Sequence, residues 1–364
     1  MLNPFTSPKA SQGFRNLDLL RALAVLCVFA AHLTDSLGFV NPGSLGRFGV
    51  VLFFVHTSFV LMYSLKRLDH SDKVNSTWHL CAVFFIRRFF RIYPLAIFVV
   101  LLTLTFRIPI NPLDVWYWVG SKALLANIAL VQNVTYSANV LAVLWSLPLE
   151  VQMYLMLPFA YLFLRKRPYA SIGLWVVSLL LAFASYHAST RLSVFLFGPC
   201  FTSGLIAFDL IERIPRKLPS WFFLPALIAI VLAFRPLDNV PLNLSGKLPL
   251  AWGLSLLVGL LIAGCQDGQW RGIHSVAHWV AEHSYSIYLS HSPIFWLCLN
   301  VMRNSPWVVK LLLLAVLSVF VPMVLYRFIE KPLMDKGAQL ASRWDARTQL
   351  GETTRLPSGA GRGT

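Results

Sequence analysis

The chain is short of charge. Of its 364 residues only 13% are Asp, Glu, Lys or Arg, against 57% that are hydrophobic, and its mean hydropathy is +0.65. A soluble domain carries about 25% charged residues, so a water-facing globule is excluded. Paired cysteines are also lacking. Cys27, Cys81, Cys200, Cys265 and Cys298 are odd in number, form no C-x-x-C, and lie in or beside apolar runs. They read as small buried hydrophobes, not as a disulfide framework or a metal site. Zinc-finger spacing and an aromatic–basic motif are absent, so the net charge of +16 does not point to nucleic acid. The basic residues cluster between apolar runs, as expected for anchors facing anionic lipid. The first apolar run, from Leu17, is too long for a signal sequence and lacks an A-x-A site, so it is expected to stay as the first helix.

What is present is a series of continuous apolar runs, many of about 18 residues or more, each able to cross a bilayer. A barrel would show alternating segments of about ten residues. The fold class is therefore all-α, a polytopic transmembrane helical bundle. The runs place ten spans at 17–40, 45–65, 90–108, 143–164, 170–188, 192–210, 220–235, 248–265, 284–302 and 308–328. Segment 117–132 is short, opens on aromatics and carries Lys122, and reads as a partly inserted helix on the outer side. With ten spans and both termini cytoplasmic, 22 of the 31 Lys and Arg residues fall inside and eight outside. Counting 117–132 as a span would put Arg165, Lys166 and Arg167 outside, against the positive-inside rule. The expected organisation is a cytoplasmic segment 1–16, a membrane domain 17–330 and a cytoplasmic tail 331–364, without structure from about residue 337.

Charges inside a bilayer are costly and point to function. On the first helix, Arg21 and His32 stand eleven residues apart, on one face and about 16 Å apart along the axis. Asp18, one turn before Arg21, is placed to pair with it. Arg87, Arg88 and Arg91 of RRFFRIYP crowd what reads as the inner start of a helix. That suits a polyphosphate, through forked donors and the positive helix end, and equally a plain membrane anchor. Glu150 of WSLPLEVQMYLMLP lies in an apolar run read as near the outer face, where His32 or a bound substrate are its candidate partners. Ser284, Tyr288 and His291 form a polar stripe on another helix, and His56 lies mid-span. The histidine spacing does not follow a metal-binding pattern, so no metal is expected.

At these residues the sequence resembles the membrane-bound acyltransferase 3 family, which includes O-acetyltransferases of lipopolysaccharide O-antigen, exopolysaccharide and Nod-factor glycans. The likeness covers most of residues 14–335. It is carried by Arg21 and His32 with ten residues between them, GVVLFFVHTSFVL, Arg88 and Arg91, W-S-L-x-x-E ending at Glu150, S-Y-x-x-Y-L-x-H ending at His291, and E-K-P with Glu330. One departure is Thr57-Ser58, where the family usually has Ser-Gly. The resemblance implies transfer of an acyl group, in the simplest case acetyl, from cytoplasmic acyl-CoA to a hydroxyl of a glycan or lipid-linked sugar at the bacterial inner membrane. Arg21, Arg88 and Arg91 are then expected at the CoA phosphates, and His32 and Glu150 in catalysis. Ser284, Tyr288 and His291 are expected on the acceptor path, with His291 the milder in effect. The alternative is a transporter or flippase that uses the charged stripe as a conduction path.

Overall fold

A computed structural model describes residues 15–39, 43–70, 76–188, 193–234, 247–268 and 271–353. Among them the regular structure is helical, with one isolated bridge between Leu218 and Cys265. The helices are α1 (Arg15–Ser36), α2 (Gly43–Asp69), α3 (Thr77–Thr105), α4 (Ser121–Ile128), α5 (Leu147–Leu164) and α6 (Ala170–Ala188). They continue as α7 (Gly198–Leu210), α8 (Phe223–Phe234), α9 (Lys247–Gly264), α10 (Arg271–Phe295), α11 (Trp307–Leu325) and α12 (Lys331–Thr353). Six helical stretches are long and apolar enough to cross a membrane: Arg15–Ser36, Ser44–Asp69, Ala142–Leu164, Ala170–Ala188, Lys247–Gly264 and Trp307–Trp344. Large apolar side chains such as Leu180 and Phe183 on α6, and Leu312 and Phe320 on α11, face outward. Water would penalise that surface and lipid does not. The chain is a multi-pass helical membrane protein.

The sequence misplaced several features, among them the start of α10, which lies at Arg271 rather than at 284. Helix α3 begins at Thr77, capped by the Ser76 side chain accepting from the His79 N–H at 3.2 Å, far before the expected start at 90. Arg88 and Arg91 are therefore mid-helix, about 16–21 Å from its N-terminus, and the helix dipole, which acts over the first turn, does not reach them. The tail is helical from Lys331 to Thr353, where no structure was expected beyond about 337. Asp18 does not pair with Arg21; its Oδ2 lies 2.8 Å from His278 Nδ1 on α10. Segment 117–132 contains only the eight-residue α4, about 12 Å long and too short to cross. The segment expected as a cytoplasmic N-terminus lies outside the described residues up to position 14.

Helix α1 sits between α2 and α10, and small residues allow the approach. A Cβ at Gly49 on α2 would lie 2.6 Å from the Ala24 carbonyl oxygen. On the other side of α2, a Cβ at Gly204 of α7 would overlap Ser58 Oγ and the Val55 carbonyl. The close helix approach that a glycine in place of Ser58 would allow is thus kept by a glycine on the partner helix. Helices α10 and α11 each contain a proline, Pro293 and Pro322, and each runs directly into a π-helical turn, Trp296–Val301 and Tyr326–Glu330. Such single wide turns inside helices re-aim side chains and occur mostly near functional sites. The second wide turn carries Glu330 into the interior.

Candidate functional site

Two polar layers occupy the interior where α1, α3, α5 and α10 meet. The first is built on arginine. Arg91, from the middle of α3, makes an ion pair with Glu330, a carboxylate that is only 2% exposed. The second oxygen of Glu330 accepts from Ser286 Oγ of α10 at 2.6 Å. Arg91 also stands 5.7 Å from the Tyr285 ring, whose hydroxyl donates to the Ile92 carbonyl at 2.7 Å. Glu150, one turn into α5, accepts a hydrogen bond from Tyr154, one turn further on. Its charged neighbours are Arg21, Arg91 and Arg88. Arg21 of α1 faces Arg91, Glu330 and Glu150, and His56 of α2 feels its charge.

Partners are shared unequally. Arg91 is paired, whereas Arg21 and Arg88 make no ion pair or hydrogen bond among the described residues. Arg88 stands 5.9 Å from the Phe84 ring. Three guanidiniums thus converge with two carboxylates, and the excess positive charge is what an anionic group would neutralise.

The second layer is built on histidine. The rings of His32 on α1 and His291 on α10 lie 5.1 Å apart between centroids, tilted by 38°. Phe29, Tyr288 and Phe295 enclose the His291 ring at 6.3, 6.1 and 5.5 Å. The Tyr288 hydroxyl donates to the Val143 carbonyl at 2.7 Å and lies 2.7 Å from Ser146 Oγ. It thereby ties α10 to the 3-10 turn Ala142–Ser146 that leads into the Glu150 helix.

The residues singled out in the sequence therefore separate. Arg21, Arg88, Arg91 and Glu150 come together, as do His32, His291 and Tyr288. Glu150 is not beside His32 but among the arginines, so the expectation that it orients that histidine does not fit the geometry. Ser284 is buried and donates to Ala281 one turn back at 2.8 Å, an intrahelical bond that leaves it outside both layers. Sequence reasoning missed Tyr154, Ser146 and the roles of Ser286 and Glu330. Tyr154 was findable, being four residues from Glu150 on one helix face. The Arg91–Glu330 pair, 239 residues apart, had no local signal. Among the described residues no three His, Cys, Asp or Glu side chains gather so as to hold a metal ion. A cavity of about 420 Å³ lies elsewhere, lined by Lys66, Arg165, Arg213 and Glu212 among others.

Comparison with known proteins supplies a class for this arrangement. The acyltransferase 3 family model, described as an acyltransferase domain, matches residues 14–327. The chain is 26% identical over 377 aligned positions to the peptidoglycan O-acetyltransferase OatA of Listeria monocytogenes serovar 1/2a. That alignment covers 88% of this chain and 56% of the relative, so the chain spans little more than half of the relative's length. No solved structure matches.

Proposed function

The chain belongs to the acyltransferase 3 family, and from that premise we propose that it moves an acyl group, in the simplest case acetyl, from acyl-CoA to a hydroxyl of a glycan or lipid-linked sugar at the bacterial inner membrane. The reading includes ten spans and both termini in the cytoplasm. The observation that carries it is the pair of interior guanidiniums, Arg21 and Arg88, which make no ion pair or hydrogen bond among the described residues, on helices that belong to the same site as His32. They suit the phosphates of CoA, with Arg91 held in line by Glu330. Glu150 acts through the arginines, limiting their mutual repulsion. The thioester then extends along α1 toward His32, about 16 Å further on.

His32 takes the proton of the acceptor hydroxyl as the oxygen attacks the thioester carbonyl. The C–S bond breaks, the ester forms, and His32 returns the proton to the leaving thiolate, giving free CoA. An alternative order, in which His32 first carries the acyl group itself, uses the same residues. His291 and Tyr288 border the acceptor path. The peptidoglycan named for the relative makes its sugars one of the acceptors to try.

The test is release of CoA thiol from acetyl-CoA by the purified protein in nanodiscs, with muropeptides and lipid-linked oligosaccharides offered in turn. Acceptor-dependent release separates transfer from a transport role for the charged stripe. His32→Ala should bind acetyl-CoA normally yet lose about 10²–10⁴-fold in rate, the usual contribution of a general base. A rate within about tenfold of wild type at matched protein level would remove His32 from the mechanism.

A further inference from the structure

A neutral imidazole works as a base only when its other nitrogen is held so that the ring is aimed. Around His32 the expected holder is missing, because Glu150 is bonded to Tyr154 and faces the arginines. Neither His32 nitrogen has a hydrogen bond among the described residues. Asp35 lends charge from the same helix but is exposed. The polar ring beside His32 is His291.

The Nδ1 of His291 lies 3.3 Å from the Ile287 carbonyl oxygen, which can only accept, and this contact favours the tautomer with the proton on Nδ1. Nε2 is then a bare lone pair. It is buried, on a residue 1% exposed, and has no hydrogen-bond partner. A buried acceptor without a donor is costly and calls for an N–H or O–H. The aromatic fence of Phe29, Tyr288 and Phe295 keeps the ring in place and leaves His32 as the neighbouring ring able to donate.

We propose that His291 is the positioning residue for His32: its Nε2 accepts the His32 N–H as substrates close the site, and so turns the second His32 nitrogen onto the acceptor hydroxyl. The inference rests on His32 being the base. Such bonds are commonly long in an empty site and tighten in the substrate complex. When His32 takes the hydroxyl proton, the bond to His291 becomes charge-assisted and stronger. The proton passes from His32 to the departing thiolate, and His291 stays neutral throughout. His291 is then more than a wall of the acceptor path, and its loss is as severe as that of His32.

The experiment compares His291→Gln with His291→Phe in the full-length protein in nanodiscs, with acetyl-CoA and the acceptor that wild type uses. Glutamine places a carbonyl oxygen near the Nε2 position, whereas phenylalanine keeps the ring volume without an acceptor. His291→Phe should lower kcat about a hundredfold or more with KM nearly unchanged, and add nothing in a His32→Ala background. His291→Gln should recover about tenfold or more of the lost rate. If the Phe variant does not accumulate, His291→Asn takes its place, since its shorter amide mimics Nδ1 and should stay inactive. Full kcat in His291→Phe, or no advantage of Gln over Phe or Asn, overturns the proposal. So does a comparable loss in Asp35→Asn with His291→Phe still active. If His32→Ala itself stays active, the base assignment falls as well; if it is dead while His291→Phe works, only the role of His291 falls.

Discussion

At the scale of single residues, the three arginines of the site differ in what their removal exposes. Arg91 and Glu330 compensate one another in the interior. Truncating Arg91 strands a carboxylate that is also committed to Ser286. Breaking such a pair costs about 3–5 kcal/mol. Arg91→Ala should therefore lower the thermal unfolding midpoint in detergent, and adding Glu330→Gln should return much of the loss. Arg88 has no such partner, so Arg88→Ala should leave the midpoint unchanged while weakening acetyl-CoA binding. Lysine at 88 should only partly restore binding, because an ammonium lacks the forked donors. Equal midpoints for Arg88→Ala and Arg91→Ala would show that the two side chains are not in different states of pairing. The need for these charges was legible in the sequence, since an intramembrane Arg or Glu stands out against its apolar run. Which charge meets which was not. The sequence offers His32 as a partner for Glu150, and the fold instead bonds Glu150 to Tyr154 and sets His32 beside the His291 ring.

At the scale of elements, hydropathy located the helices but not all their ends. The runs at 143–164, 170–188 and 248–265 coincide with helices to within a residue or so. Hydropathy places the start of α3 late because its arginines interrupt the apolar run, although Leu80, Val83 and Phe84 before them are buried core. The Gly, Ser and Arg content of the tail points to an unstructured segment. Yet Gly337 is there for packing: a Cβ would lie 2.6 Å from Phe90 Cβ on α3, so α12 lies flush against the arginine helix. Contact between helices is invisible to a one-dimensional reading, and the Thr57-Ser58 departure shows it most clearly. Ser58 faces Gly204, so the glycine that the close approach needs is supplied from α7. Gly204→Ala should then force α2 and α7 apart and cost about 1–3 kcal/mol, seen as a lower unfolding midpoint. Ser58→Gly should give back part of that loss in the double variant, though not all, since the Val55 carbonyl also crowds the site. An unaltered midpoint for Gly204→Ala would mean that the two helices do not meet there.

At the scale of the whole molecule, the question is which ends of the helices share a side of the membrane. Ion pairs tie three of them together. Lys66, at the end of α2, bonds Glu212, just past α7, at 2.6 Å, and Arg165, just past α5, lies 3.1 Å from Asp69 at the end of α2. These ends surround the 420 Å³ cavity and carry two basic clusters, Arg165 to Arg167 and Arg213 to Lys217. Positive residues concentrate on the cytoplasmic side, so we predict that this is the inner end of the bundle. On the other side, the Ala142 N–H donates to the Ile110 carbonyl at 3.0 Å, joining the exit of α3 to the approach to α5. Between them α4, with eight residues, cannot cross, so the chain leaves and re-enters on one face, and residues 109–140 are predicted to lie outside. Single-cysteine labelling of whole cells with a membrane-impermeant maleimide decides it. The five native cysteines are buried, which keeps the background low. Asn139→Cys should react from outside, and Lys166→Cys should react only after the membrane is opened. Labelling of intact cells at 166 but not at 139 would invert the bundle, place the arginine layer away from cytoplasmic CoA, and remove the acyl-CoA reading with it.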